Sequence, residues 1–183
     1  QDGYVVFTVN GTENTRGTVD GHCFLCNAKK NRITSDDDTS LDTDSSFTYG
    51  VKKNKVYYLQ VKMYAKEEYQ VSYKFTKVNE KTGNHKKSKA ATIKKSKTVK
   101  GLLMAGEKKA DWYKIKLTQK QVLRLTVTTK SYRGIRVEVF DKYGEKVYGL
   151  DFYHPGSFNG TKTIHSAKWN GKAMKIKPGT YYV

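Results

Sequence analysis

Apolar and polar side chains alternate with a period of two along most of this chain of 183 residues. The alternation is most regular at residues 5–10, 56–61, 69–75, 113–117, 122–127 and 135–140. Strict alternation places the apolar side chains on one face of a β-strand and the polar ones on the other. Because one face packs and the other meets water, the pattern predicts an all-β fold of antiparallel sheets packed as sandwiches.

A change in composition divides the chain. Residues 79–97 hold no aromatic side chain, and residues 81–100 contain eight lysines and no acidic residue. Such a polar, charged stretch is typical of an exposed connection between domains. We therefore predict a first β-sandwich over residues 1–78, a lysine-rich linker over 79–97 and a second β-sandwich over 98–183.

The two predicted domains resemble each other in two short segments. Residues 25–33 and 139–147 each contain a strand, a turn led by Asn27 or Asp141, and the start of a second strand. Residues 51–59 and 176–183 are similar too, and both contain a pair of tyrosines. These similarities predict that the first domain is a degenerate copy of the second.

The excess of positive over negative charge lies entirely in the second half of the chain. Residues 1–80 contain 11 basic and 11 acidic side chains, whereas residues 81–183 contain 24 basic and 6 acidic ones. The net charge of +18 therefore belongs to the second half, which points to an anionic partner for that half. No stretch of eighteen apolar residues occurs, so no membrane span is predicted.

Three segments of the second half resemble bacterial pre-peptidase C-terminal (PPC) domains. They are residues 99–117, with Asp111-Trp112-Tyr113, residues 137–144, and the closing Lys177-Pro178-Gly179-Thr180 turn with its strand. The resemblance implies a jelly-roll-like β-sandwich carried by secreted or surface proteins of bacteria. It also implies a module that is not an enzyme. Some members of the family bind calcium, collagen or polysaccharide.

An acidic segment is a candidate calcium site. Its ligands would be oxygens of Asp36, Asp38, Asp42 and Asp44, which share one face of an extended chain. Calcium takes six to eight oxygen ligands, and this density of carboxylates could supply them. The spacing does not follow the EF-hand pattern, because Leu41 and Phe47 stand where Gly and Glu are needed. The alternative is a solvated loop, and no other cofactor is expected.

No set of residues predicts catalysis. Cys23 and Cys26 form a C-x-x-C motif without two further metal ligands or a βαβ context, so we expect a buried Cys23 and an outward Cys26. The alternative is a local disulfide between them across a bulge, in an oxidising compartment. Asp151, His154 and Ser157 are close in sequence, but catalytic triads are assembled from distant segments. The alternative for these three residues is a polar loop between strands, and no catalytic residue is assigned.

The candidate ligand-binding residues are aromatic and basic. Exposed aromatic rings can stack on sugars or peptides, and lysines can hold an anionic polymer as point charges. The alternative for the aromatic residues is a place in the sandwich core, where we expect Trp112. The candidates are Tyr148, Phe152, Tyr153, Trp169, Lys86, Lys87, Lys94 and Lys95.

These features together predict a secreted or cell-surface accessory module that binds an anionic cell-wall polymer, a glycan or an extracellular protein. Nucleic-acid binding through the basic half is the first alternative. A specific nucleic-acid partner is not expected, because the chain has few arginines after residue 80 and no known nucleic-acid-binding motif. These arginines are Arg124, Arg133 and Arg136. The second alternative is a non-catalytic remnant of a secreted hydrolase.

Overall fold

The computed structural model describes residues 2–11, 21–33, 45–63, 68–78, 83–104, 109–131, 134–156, 158–166, 168–169 and 172–183. The regular structure in these ranges is almost entirely antiparallel β-strand, which confirms the predicted all-β class. The chain forms two compact units. Unit 1 comprises Gln1–Glu80 with Leu102–Lys108, and unit 2 comprises Lys81–Gly101 with Lys109–Val183.

Unit 1 contains five described strands. They are β1 (Gly3–Gly11), β2 (Gly21–Cys26), β3 (Ser45–Val51), β4 (Tyr58–Met63) and β5 (Tyr69–Lys77). One sheet has the order β3-β1-β5, and β2 pairs with β4 in a second sheet. The buried side chains come from both sheets: Val5, Val9, Cys23, Phe24, Leu25, Cys26, Tyr49 and Val51.

The register of β1 shows how the alternating sequence builds the core of unit 1. Val5 lies opposite Tyr49 on β3, and all three apolar side chains Val5, Val9 and Tyr49 are buried. Residues directly opposite each other in an antiparallel pair share a face of the sheet. The odd-numbered positions of β1 therefore line the core face, as the period-two pattern predicts.

Unit 2 contains nine described strands. They are β6 (Ala91–Thr92), β7 (Tyr113–Leu117), β8 (Arg124–Ser131), β9 (Ile135–Phe140), β10 (Lys146–His154), β11 (Phe158–His165), β12 (Lys168–Trp169), β13 (Lys172–Ala173) and β14 (Gly179–Tyr182). The main sheet has the order β10-β9-β14-β7-β6, while β11 pairs with β8 and β12 with β13. Among the described residues, no helix is long and apolar enough to cross a membrane.

The core of unit 2 joins side chains from the five-stranded sheet with others from the β8–β11 side. Its buried members are Ile115, Leu117, Leu123, Val139, Leu150, Ile164 and Tyr181. Leu150 and Val139 are almost completely excluded from solvent. This arrangement is consistent with a β-sandwich, while the jelly-roll connectivity of both units stays a prediction.

The lysine-rich stretch predicted as a linker contributes to unit 2. Ala90 is buried, and Ile93 packs against the core. β6 runs parallel to β7, and a single turn of 3₁₀ helix at Lys87–Lys89 precedes it. The boundary between the units falls after Glu80, and Leu102–Lys108, which the sequence assigns to the second sandwich, groups with unit 1.

The first of the two similar segments forms the same turn in both units. In unit 1 the Asn27 side chain accepts hydrogen bonds from the backbone N–H groups of Lys29 and Asn31, at 2.9 and 3.0 Å. In unit 2 the Asp141 side chain accepts from Tyr143 and Glu145, at 2.8 and 3.0 Å. Position four of each turn has positive φ, 62° at Lys30 and 98° at Gly144.

The second similar segment holds a tyrosine whose hydroxyl reaches back to the backbone. The N–H of Lys52 donates to the Tyr57 hydroxyl at 3.2 Å. The Tyr181 hydroxyl donates to the Lys177 carbonyl at 2.8 Å. Both contacts close a turn before a strand, as in the tyrosine corner of immunoglobulin-like domains. The two units thus share a turn closed by an Asn or Asp side chain and a contact between a tyrosine hydroxyl and the backbone, at matching positions in the similar segments.

Candidate functional site

The five-stranded sheet of unit 2 carries its candidate functional groups on the face that points away from the core. Ile115 and Val139 are buried, so their strand neighbours Lys114, Lys116 and Phe140 point to the opposite face. Tyr182 lies opposite both Lys114 and Phe140 and therefore shares that face. We call this surface the outer face of unit 2.

Aromatic rings and a lysine occupy the centre of the outer face. The rings of Trp112 and Phe140 are 5.8 Å apart. The Lys87 ammonium lies 4.6 Å from the centroid of the Tyr182 ring, within the range of a cation–π interaction. It also lies 3.5 Å from the backbone oxygens of Asp141 and Lys142. The folded lysine-rich segment thus brings a positive charge onto the outer face.

Trp112 was expected in the core, and the structure places it elsewhere. It directly precedes β7 and lies an odd number of positions from the buried Ile115. Alternation along the strand therefore directs its side chain to the outer face, where it contacts Phe140 and stays partly exposed. The sequence contains this signal, because Trp112, Lys114 and Lys116 share one parity.

The β9–β10 hairpin extends the outer face with exposed tyrosines beside cations. Arg136 lies opposite Tyr153, and its guanidinium is 4.7 Å from the centroid of the tyrosine ring. Tyr153 is 58% exposed. In the turn, the Lys142 ammonium lies 4.6 Å from the centroid of the exposed Tyr143 ring. The pKa of Lys142 is raised, chiefly by hydrogen bonding to the Tyr143 side chain.

A register shift in β10 shapes the neighbouring surface. Lys146 pairs with Phe140 and Asp151 with Glu138, so the residues between them form a bulge. Tyr148 lies in this bulge and is 85% exposed. Lys146 forms an ion pair with Glu138. A shallow cleft of about 220 Å³ is lined here by Arg136, Val137, Glu138, Lys146, Asp151, Phe152 and Tyr153.

The aromatic residues chosen from the sequence do not share one surface. Phe152 and Tyr153 are neighbours on β10, so their side chains point to opposite faces. Phe152 packs against the core, and its ring meets the ring of Phe158 edge-on at 5.1 Å. Tyr148 and Tyr153 are exposed. The backbone of Trp169 belongs to β12, while its side chain lies outside the described part of the structure.

The four candidate lysines do not share one surface either. Lys87 belongs to the outer face through its contact with Tyr182. Lys86 is exposed just before the 3₁₀ turn. Lys94 and Lys95 are exposed in a turn that a hydrogen bond from the Lys97 N–H to the Lys94 carbonyl closes at 3.1 Å. Only Lys87 has a described contact with an aromatic ring of the outer face, among these four lysines.

The proposed calcium ligands Asp36, Asp38, Asp42 and Asp44 lie outside the described residues. Within the described ranges, no three His, Cys, Asp or Glu side chains are grouped so that they could hold a metal ion. Cys23 and Cys26 are both unbridged by a disulfide and buried. The expected outward position of Cys26 is therefore wrong, because every residue of β2 from Cys23 to Cys26 is buried.

The remaining polar residues considered from the sequence, and a pair formed by His85 and Asp111, do not form a catalytic arrangement among the described residues. The expected polar loop is wrong for Asp151 and His154, which lie on β10 an odd number of positions apart and so point to opposite faces. Ser157 is not among the described residues. His85 Nδ1 lies 3.0 Å from an Asp111 carboxylate oxygen. The Asp111 side chain is largely buried, and this contact ties the segment before β6 to the start of β7.

No protein-family model matches this chain, and no curated protein matches its sequence. The resemblance to PPC domains, the non-catalytic role and the secreted or surface location therefore stay predictions.

Proposed function

We propose that this protein is a secreted or cell-surface, non-catalytic binding module whose second unit binds an anionic extracellular polymer, such as an acidic cell-wall polymer or glycan. One observation carries the proposal: exposed tyrosine rings on the outer face lie beside lysine or arginine side chains. Tyr153 with Arg136 and Tyr143 with Lys142 are the two most exposed pairs.

The pairing of a ring with a cation suits an acidic sugar or a phosphate-linked polyol. The apolar C–H surface of a sugar or polyol can stack on a tyrosine ring. The neighbouring guanidinium or ammonium group can then pair with a carboxylate or phosphate of the same repeat unit. A neutral glycan would use the rings alone, and a simple anion would use the cations alone.

The length of the surface favours a polymer over a single small molecule. Tyr153 lies beside Arg136 near one end of β9, and Tyr143 lies in the turn beyond Phe140 at its other end. Four residues of β-strand span about 13 Å. A ligand that touches both tyrosines must therefore be at least several chemical units long.

The charge of the second half supports the same class of ligand. The 24 basic side chains there face only 6 acidic ones. Such an excess raises the local concentration of a polyanion and speeds its association, and salt weakens both effects. Residues 1–80 have no net charge and are expected to contribute little to this attraction.

The test is sedimentation of the full chain with purified Gram-positive cell walls, with and without teichoic acid, over a series of salt concentrations. Tyr153→Ala and Arg136→Ala should each weaken binding by roughly tenfold, which corresponds to about 1.4 kcal/mol. Tyr58→Ala is the matched control, because Tyr58 is an exposed strand tyrosine of unit 1 that lies on β4. It should bind like the wild type.

Two results would contradict the proposal. The first is the absence of wild-type binding to acidic walls and acidic glycans. The second is equal loss of binding in Tyr153→Ala and Tyr58→Ala. A parallel titration with duplex DNA tests the alternative of nucleic-acid binding. Binding driven by charge alone would weaken as salt is added and would not change in Tyr153→Ala.

A further inference from the structure

One strand of unit 1 exposes its apolar side chains instead of burying them. The alternating apolar residues of β5 are between 44% and 73% exposed: Tyr69, Val71, Tyr73 and Phe75. We call them the β5 stripe. Contiguous exposed apolar patches are uncommon on monomeric proteins and mark interaction sites. The stripe lies in unit 1, so any role it has is independent of the function proposed for unit 2.

The β5 stripe continues the core face of its sheet. Phe75 lies opposite Val5 and Val71 lies opposite Val9, so these side chains share one face. On β1 that face is buried, whereas on β5 it is exposed. The ring of Phe75 lies across Gly3, where an added Cβ would come within 2.6 Å of it. The ring of Tyr73 lies 6.5 Å from that of Phe7.

β5 is also an edge strand. The sheet order is β3-β1-β5, and among the described strands β5 pairs with β1 alone. The outer edge of such a strand presents backbone N–H and C=O groups to any strand that can align with it. An exposed apolar stripe together with an open edge is the combination that strand addition uses.

We propose that two copies of this protein associate by antiparallel pairing of their β5 strands, with Val71 facing Val71 at a two-fold axis. The apolar residues nearest the axis then face apolar residues, since Tyr69 lies opposite Tyr73 of the second copy. A two-fold contact of this kind uses the same patch on both molecules. The paired strands join two three-stranded sheets into one sheet of six.

Charge complementarity favours a second copy as the occupant. In this register Glu68 lies opposite Lys74 of the other copy, and the symmetry makes two such pairs. Shifting the axis to Ser72 would place Lys74 opposite Gln70 and Glu67 opposite Lys77, so a glutamate faces a lysine of the second copy in either register. Residues 1–80 carry no net charge, so the net charge of this part of the chain does not oppose pairing of two β5 strands.

The area of the β5 stripe determines how stable the proposed dimer should be. Its side chains expose roughly 400 Å² of apolar surface per copy, given that large aromatic side chains bury about 150–250 Å² each. A stable interface buries about 800 Å² per partner. The stripe supplies about half of that, so we expect a reversible dimer that forms at high protein concentration and dissociates on dilution.

The experiment is sedimentation velocity on the full chain over a wide range of concentrations. The wild type should show a concentration-dependent dimer. Val71→Lys places two lysines face to face at the axis and should weaken the dimer at least tenfold. Tyr148→Lys adds the same charge at an exposed site of unit 2 and should leave the dimer unchanged. Far-UV circular dichroism checks that both variants fold.

Two further variants test the register. Lys74→Glu should weaken the dimer, and adding Glu68→Lys should restore it by exchanging the two charges. Val71→Cys should form a disulfide-linked dimer under mild oxidation, because paired residues bring their Cα atoms to about 4.5–5.5 Å, within disulfide range. Lys74→Cys should not form this cross-link, because position 74 faces Glu68 of the second copy. The wild type should form little disulfide-linked dimer, because Cys23 and Cys26 are buried.

A wild type that stays monomeric at every concentration would overturn the proposal. So would a dimer that survives Val71→Lys, or one that Tyr148→Lys weakens equally. Failure of Glu68→Lys to rescue Lys74→Glu, together with no cross-link through Val71→Cys, would also overturn it.

Discussion

The two units share their turns but differ in their surfaces. Asn27 in unit 1 and Asp141 in unit 2 each accept two backbone N–H groups in a turn of the same length. Unit 1 is neutral over residues 1–80 and exposes the β5 stripe. Unit 2 has the whole excess of positive charge and exposes tyrosines beside cations. The turns depend on contacts within five residues, so the surfaces could diverge without disturbing them.

The difference also locates the two proposed activities. A cation beside a tyrosine suits a charged, hydrated ligand, whereas an apolar stripe on an open edge suits another strand. The same alternating pattern produced both surfaces. What distinguishes them is which residues occupy the uncovered face of the sheet.

The largest expected effect comes from matched changes in the two cores. Leu25 and Leu150 are both 0% exposed, so Leu→Ala at either site should lower the free energy of unfolding by about 2–5 kcal/mol. Urea titrations followed by circular dichroism measure the change. Both tryptophans belong to unit 2, so their fluorescence follows that unit and should respond to Leu150→Ala. A cost below about 1 kcal/mol at either site would contradict the described cores.

The shared turn gives a smaller effect. Asn27→Ala and Asp141→Ala each remove two hydrogen bonds to backbone N–H groups and should cost about 1–2 kcal/mol of unfolding free energy. The loss at Asp141 should be the larger, because a charged carboxylate forms the stronger bonds. Asn27→Asp and Asp141→Asn keep the acceptor and serve as controls. If both alanine variants unfold like the wild type, the turns do not stabilise their units.

The tyrosine contacts should give the smallest effect near neutral pH. Tyr57→Phe and Tyr181→Phe each remove one hydrogen bond and should cost about 1 kcal/mol. Burial, and secondarily the nearby Asp141 charge, raises the pKa of Tyr181 above its usual value of 10. Above about pH 10 the unfolded tyrosine loses its proton first and the folded state binds more protons, so stability falls as pH rises.

The same variants provide the check. The stability difference between the wild type and Tyr181→Phe should narrow as the pH rises above about 10, because phenylalanine has no proton to lose. Urea titrations of both proteins on either side of that pH measure it. A difference that stays constant with pH would show that Tyr181 titrates alike in the folded and unfolded states.

The sequence predicted the all-β class and several strands because alternation is a local property. β5, β7 and β9 coincide closely with stretches where apolar and polar residues alternate. The shared turn was also visible, since Asn and Asp at its first position act within four residues. The lysine-rich stretch looked like a linker because one buried alanine and one core isoleucine leave little pattern to detect.

The candidate surface was harder to predict, for two different reasons. That Phe152 and Tyr153 point apart follows from period two and could have been deduced. The contact of Lys87 with Tyr182 could not, because it joins residues far apart in the chain. Nor does alternation reveal which strands a second layer covers. β1 and β5 have the same pattern, yet only β1 buries its apolar residues.

The position of β1 in its sheet has a consequence for how the protein is made. β1 is the central strand, and its neighbours β3 and β5 both follow it in the chain, β5 ending only at Lys77. Synthesis proceeds from the N-terminus, so β1 leaves the ribosome with both edges unpaired. Apolar strands with open edges are prone to pair wrongly with other chains. The central strand of this sheet is thus made before both of its described neighbours, and its second edge is covered only once β5 has been made.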